Sequence, residues 1–229
     1  MMTKELRKIE MFEPMGFAAG ITERDDWKSQ AEVYDAIKRQ FSAISPIIVS
    51  PRQTHSPDIL VLEGPGAPSH PVADGVICRA AGVCITVRTA DCIPLLFADP
   101  STGIFGAVHV GWRGMAAGII EEFFAQTAKI CPTVINMLFY LGPSIGKCCF
   151  EVGDDVALLF DEAYVDNRNG RFFVDLPGLA RNKISNSGVR DSNVRVAPEC
   201  TFCEEGRFYS YRRDGAVPVQ MVSYIFGPS

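Results

Sequence analysis

Ile93-Pro94-Leu95-Leu96-Phe97-Ala98-Asp99-Pro100-Ser101-Thr102-Gly103-Ile104-Phe105-Gly106-Ala107-Val108-His109-Val110 is the stretch that decides the fold class. Two short apolar runs flank Asp-Pro-Ser-Thr-Gly, a series of turn formers, so residues 93–110 read as a β-hairpin. The same texture of β-branched and aromatic runs punctuated by Gly, Pro and Asp recurs at 47–49, 59–62, 83–87 and 135–141, each read as a strand. Helical spacing appears on either side. Val33, Ile37 and Phe41 fall at four-residue steps within 27–41, after Asp25 and Asp26 as caps. Ile119, Ile120, Phe123, Phe124 and Ala128 make an apolar stripe on 114–129, and 154–164 patterns the same way. Beyond these the order is strand (172–175), helix (177–187), then strands at 194–197, 208–211 and 217–224. Interspersed helices and hairpins predict an α+β or mixed architecture with helices covering the sheets. No repeat, low-complexity tract or linker interrupts the chain, so residues 1–229 are expected to form one domain.

With 47% hydrophobic and 21% charged residues, the balance is that of a globular protein and not of a disordered or fibrous one. A formal charge of -5 provides no basic face to displace counterions from nucleic-acid phosphates, which leaves a small-molecule substrate as the expectation. Residues 1–12 alternate charge with apolar side chains, unlike a secretory signal, and no run approaches a membrane span. The cytoplasm is the expected compartment. There, eight cysteines are core residues, metal ligands or nucleophiles rather than disulfides.

Only three histidines are present, and two lie where a strand gives way to a loop, the usual place for binding groups. His55 sits in Gln53-Thr54-His55, and His109 precedes Gly111-Trp112-Arg113-Gly114. Cys92, in Thr89-Ala90-Asp91-Cys92-Ile93-Pro94, stands at the foot of the strand paired with the one that carries His109. Two imidazoles and a thiolate suit catalytic zinc, which takes three protein ligands and leaves a fourth position to water or substrate. Asp91 is placed to orient an imidazole. The spacings of these residues match no compact zinc motif, and the same residues also read as a satisfied core histidine and a small buried hydrophobe. Arg113, between glycines at a strand-to-helix junction, is a natural phosphate or carboxylate partner, or else a solvated arginine beside a packed Trp. Arg212 and Arg213, before Asp214-Gly215 at the end of the strand read at 208–211, offer a second cation for the same pocket. Cys200-x-x-Cys203 with Cys148-Cys149 is either a four-thiolate zinc site or a set of buried thiols.

Taken together, Gln53-Thr54-His55, the Thr89–Pro94 and Ala107–Gly114 segments, Leu141-Gly142-Pro143-Ser144-Ile145 running on to Cys149-Phe150-Glu151-Val152, and Tyr209-Ser210-Tyr211-Arg212-Arg213-Asp214-Gly215 resemble the signature of the YfiH-like family. That family is also called laccase-domain, polyphenol oxidase or purine nucleoside phosphorylase. The resemblance runs from Gln53 to the C-terminus. It implies a layered α/β/β/α mixed-sheet fold and zinc on His55, Cys92 and His109. It also implies phosphorolysis of adenosine, inosine, guanosine and methylthioadenosine, with adenosine deamination as a second activity. Cys92, His109, Arg113 and Asp91 are then the expected catalytic residues, and Arg113, Arg212 and Gln53 the expected contacts to nucleoside and phosphate. The chain departs from the family at 16–24, where GFAAGITER replaces the usual Thr-Arg-x-Gly-Gly stretch, a difference that bears on substrate range more than on metal binding.

Two other chemistries use the same residues. Two His and one Cys also describe a blue-copper site, hence a copper-dependent polyphenol oxidase, although three histidines are too few for a multinuclear copper cluster. Cys92 as nucleophile with His109 as base would make a metal-free hydrolase of amides or faulty peptidoglycan precursors. No sequence feature fixes an oligomeric state.

Overall fold

The computed structural model describes residues 6–25, 27–43, 45–64 and 68–227. Its strands are β1 (Arg7–Lys8), β2 (Ala18–Ile21), β3 (Ile47–Val49), β4 (Ile59–Leu62), β5 (Gly75–Cys78), β6 (Val83–Thr89), β7 (Ile93–Ala98), β8 (Phe105–Val110), β9 (Leu138–Leu141), β10 (Glu151–Val152), β11 (Val165–Arg168), β12 (Arg171–Val174), β13 (Val194–Val196) and β14 (Met221–Phe226). The α-helices are α1 (Gln30–Gln40), α2 (Trp112–Ala116), α3 (Ile119–Thr127), α4 (Asp154–Ala157), α5 (Leu176–Asn186) and α6 (Tyr211–Asp214).

The hairpin at 93–110 is the centre of a six-stranded mixed sheet ordered β13-β9-β7-β8-β5-β4. A five-stranded sheet, β1-β2-β14-β6-β3, lies against it. Alternate side chains of a strand point to opposite faces, and β7 is buried on both. Its Ile93, Leu95 and Phe97 pack on one side with Ile120 and Phe123 of α3 and Ile184 of α5. Its Leu96 and Ala98 pack on the other with Val49, Ile85, Val87 and Ile225 of the second sheet. The far face of that second sheet, through Cys84, Val222, Tyr224 and Phe226, is covered by Val33, Ala36 and Ile37 of α1. The result is an α+β fold in α/β/β/α layers. Each large apolar side chain fully removed from water contributes about 1.5–3 kcal/mol, which explains why the sandwich retains so few polar residues. A small sheet, β10-β12-β11, sits outside these layers.

Several local expectations are corrected. The first helix begins at Gln30 and not at residue 27, capped by Ser29, whose hydroxyl accepts from Glu32 N at 3.3 Å. Asp25 therefore does not cap it, and Asp26 lies outside the described residues. The helix expected at 114–129 is two, because Gly118 adopts a left-handed φ of 87° between α2 and α3. At 154–164 only one turn of α-helix forms before a 3-10 turn at Glu162–Tyr164, since Leu158 and Leu159 face solvent at 85% and 54% exposure and find no surface to bury against. Residues 208–211 are not a strand. Phe208 is buried in a loop, and Ser210 caps the one-turn helix α6. Strands β1, β2, β5, β10 and β11 were not anticipated. Among the described residues no helix is long and apolar enough to cross a membrane.

Candidate metal centre

Strand register brings the first two ligands together. Ile93 pairs with Val110 and Pro94 with His109, so Cys92 arrives at the ladder's end beside His109 and Gly111. On the other side of β8, Gly75 pairs with Val108, which sets Asp74 next to His109. His109 N donates to Asp74 O at 2.6 Å, and His109 Nδ1 lies 2.8 Å from Asp74 Oδ1. An ionised carboxylate only accepts, so Nδ1 carries a proton, and Nε2 is the nitrogen left to meet a metal, which would take the place of any proton there.

His55 comes from the loop between β3 and β4, with φ at 62°, a left-handed conformation unfavourable for a residue with a Cβ by roughly 1 kcal/mol or more. Asp74 holds this loop as well. The backbone N–H groups of Thr54, His55 and Ser56 each donate to its carboxylate at 2.9 Å, and the Thr54 and Ser56 hydroxyls add bonds of 3.2 and 3.0 Å. One fully buried carboxylate thus fixes both imidazoles, whose rings cross at 84° with centroids 4.7 Å apart.

Cys92 Sγ lies 3.9 Å from His55 Nε2, and the three donor atoms fall within 4.8 Å of one another. A tetrahedral zinc with Zn–S near 2.3 Å and Zn–N near 2.0 Å requires an S···N edge of roughly 3.5 Å, so the donor set fits the ion with slight closure. Gly111 keeps the site clear. A Cβ there would stand 2.9 Å from His55 Cδ2 and 3.1 Å from Cys92 Sγ.

The electrostatics favour ionised forms. Burial alone would raise the Asp74 pKa, but the bonds from His109, Thr54 and Ser56 outweigh it and hold the carboxyl well below its ordinary range. Burial works against a charged His109, yet its bonds to Asp74 and Cys92 raise it to about 9. Burial opposes the Cys92 thiolate too, and the two histidines nonetheless lower it to about 7.

The three side chains border a cavity of about 630 Å³, which Arg88, Asp91, Arg113, Phe150, Tyr211 and Arg212 also line. That volume suits a small molecule. Arg113 lies in the first turn of α2 with its guanidinium 4.2 Å from the Trp112 ring centroid. Arg212 Nη1 donates to Glu151 O at 2.8 Å, whereas Arg213 folds away to the carbonyls of Thr201, Phe202 and Phe208.

Two expected roles are revised. Asp91 does not orient an imidazole: its carboxylate accepts from Thr201 Oγ1 and from Arg212 N, both at 2.7 Å, and Asp74 does the orienting instead. Gln53 lines the cavity, but its side-chain amide exchanges two hydrogen bonds with the Arg88 backbone, at 2.7 and 2.9 Å, and so clamps the end of β6. Asp74 and Arg88 were missed. Arg88 Nε is buried with no partner among the described residues, and its signal was a lone cation near the end of an otherwise uncharged strand. None of the divergent residues 16–24 lines the cavity. Ala18–Ile21 form β2, and Glu23 pairs with Arg7 and Arg207.

The chain resembles known proteins along most of its length. The model of the family described as multi-copper polyphenol oxidoreductase laccase matches residues 12–226. Over 166 residues the chain is 36% identical to purine nucleoside phosphorylase YlmD of Geobacillus stearothermophilus, a match covering 68% of this chain and 60% of that relative's length. It is 32% identical over 188 residues to adenosine deaminase RL5 of an unknown prokaryotic organism, covering 73% and 70%. The crystal structure of the Bacillus licheniformis hypothetical protein YfiH superposes with a TM-score of 0.87 over 99% of this chain and 97% of that one, at 23% identity, a likeness of fold.

Proposed function

Because this chain belongs to the YfiH-like family, described as multi-copper polyphenol oxidoreductase laccase, we propose that it is a zinc-dependent purine nucleoside phosphorylase that also deaminates adenosine. The observation that carries this reading is the convergence of His55, Cys92 and His109 at the edge of a cavity that also presents Arg88, Arg113 and Arg212. A bound zinc would supply Lewis acidity, polarising an oxygen of substrate or water.

The chain's own residues account for the rest. In phosphorolysis an oxygen of hydrogenphosphate forms a bond to ribose C1′, the glycosidic C–N bond breaks, and the purine leaves carrying on nitrogen the proton that the hydrogenphosphate gives up. Arg113, stacked on Trp112, and Arg88, with its unsatisfied Nε, orient the phosphate and offset its charge. Trp112, Phe150 and Tyr211 offer ring faces to the base. Asp91 fixes the N-terminus of α6 and with it Arg212. His109 keeps its proton on Nδ1 under the hold of Asp74.

Incubating the purified protein with inosine and phosphate tests the reading, hypoxanthine release and its loss in Cys92→Ala being the expected result. Release of neither free base nor, from adenosine, inosine would remove it. A copper oxidase finds less support, since the third histidine, His70, bonds Ser50 O at 3.0 Å and is absent from the donor cluster. The thiolate-favouring setting of Cys92 beside His109 supports a cysteine hydrolase as the second reading. Inactivation by a thiol alkylator with no sensitivity to chelators would select it.

A further inference from the structure

We propose that Cys148, Cys149, Cys200 and Cys203 form a second metal centre, a structural zinc site of four thiolates separate from the His55, Cys92 and His109 group. Their sulfurs all lie within 4.8 Å of one another, with Cys203 Sγ 3.7 Å from Cys148 Sγ and 3.4 Å from Cys149 Sγ. Four thiolates around zinc at roughly 2.3 Å stand roughly 3.8 Å apart along each tetrahedral edge. A disulfide would require roughly 2.05 Å.

Burial separates these residues from the core cysteines. Cys78, Cys84 and Cys131 are buried and serve as small core hydrophobes, whereas Cys148 and Cys203 are exposed and Cys149 and Cys200 half-buried. Cys149 and Cys200 touch the edge of the core, but Cys148 and Cys203 are exposed, so packing alone does not explain why four thiols gather here. The backbone is arranged for thiolates as well. Gly146 N donates to Cys200 Sγ at 3.2 Å. Lys147 adjoins the cluster in sequence. The Arg168 guanidinium, bonded to the Lys147 and Cys148 carbonyls and paired with Asp166 at 2.9 Å, stands beside the cluster.

The two pairs come from loops far apart in the chain, joined by a bridge between Ser144 and Cys200 and by Thr201 N donating to Ser144 O at 3.0 Å. The first loop lines the cavity with Ile145 and Phe150, and the second supports that wall from behind. Cys149 precedes Phe150, and Thr201 holds Asp91, which in turn holds Arg212. The second ion is therefore a cross-link that sets Phe150 and Arg212 at the cavity and takes no part in bond making.

The test is zinc content of the full chain purified under reductant, with cobalt(II) substitution as a spectroscopic readout. Two zinc ions per chain are expected in the wild type, one in Cys92→Ala, and one in Cys200→Ser/Cys203→Ser. Cobalt in Cys92→Ala should give the intense thiolate-to-cobalt charge transfer of an all-sulfur tetrahedral site. If the double variant fails to fold, Cys203→His, which preserves four donors, should retain the ion with cobalt bands shifted to higher energy. Equal zinc in wild type and double variant, no zinc in Cys92→Ala, or recovery of the four residues as disulfides that bind no zinc would each overturn the proposal.

Discussion

Asp74 and His109 share two hydrogen bonds, one through the Asp74 backbone carbonyl at 2.6 Å and one through its carboxylate at 2.8 Å, and Asp74 has no exposure to solvent. The same carboxylate collects the three successive N–H groups of Thr54, His55 and Ser56. Removing its charge should disturb both imidazole ligands at once. Zinc affinity at the His55 group in Asp74→Asn should fall about 10–100-fold, as measured by competition against a chelator. Unchanged affinity would mean that Asp74 merely fills space.

Gly111 offers a steric test of the same centre. Its φ of -87° suits any residue, so alanine brings no backbone strain, only a methyl group pressed on His55 and Cys92. Gly111→Ala should lower zinc occupancy there while shifting the unfolding midpoint little. An unaffected occupancy would show that the ligands have room to retreat.

Arg88 and Arg113 separate the two proposed reactions. Each is assigned a hydrogen bond to charged phosphate, worth about 1.5–3 kcal/mol. Replacing either by Met should lower kcat/KM for phosphate about 10–100-fold. Deamination of adenosine needs no phosphate and should persist in both variants. Equal loss of both activities would place the arginines in a structural role.

How much of this centre was legible in the sequence depends on where its residues lie. The hairpin at 93–110 could be read because a strong turn separates two apolar runs, and with it came the nearness of Cys92 and His109. Asp74 could not be read the same way. Gly75–Cys78 is four residues long, and Pro71-Val72-Ala73-Asp74 just ahead of it, running into Gly75, reads as turn. Asp91, adjacent to Cys92 in the chain, therefore took the role that cross-strand register gives to Asp74. Helix lengths failed for a related reason. Periodicity marks an apolar stripe at 154–164 but does not reveal whether a surface exists to bury it, and Leu158 has none.

Asp99 gives the hairpin turn a pH dependence. Its buried carboxylate accepts from Ser101 N and Oγ and from Thr102 N and Oγ1. Burial raises its pKa, but the Thr102 and Ser101 bonds outweigh that and leave it lowered. With the folded pKa below the unfolded value of roughly 3.9, the unfolded chain binds the proton more readily. The contribution is thus complete above that value and disappears as pH falls through the folded pKa. Asp99→Asn should be less stable than wild type by about 1 kcal/mol at neutral pH, and the gap should close on acidification. Denaturant melts from pH 7 downward measure this; a gap constant with pH would contradict it.

The central claim is that one cation joins His55, Cys92 and His109, and anomalous diffraction at the zinc edge from crystals grown with zinc addresses it most directly. The predicted result is a peak roughly 2.0–2.1 Å from an imidazole nitrogen of each histidine and roughly 2.3 Å from Cys92 Sγ. A map empty at that position, from crystals of protein that still releases base from inosine, would contradict the account.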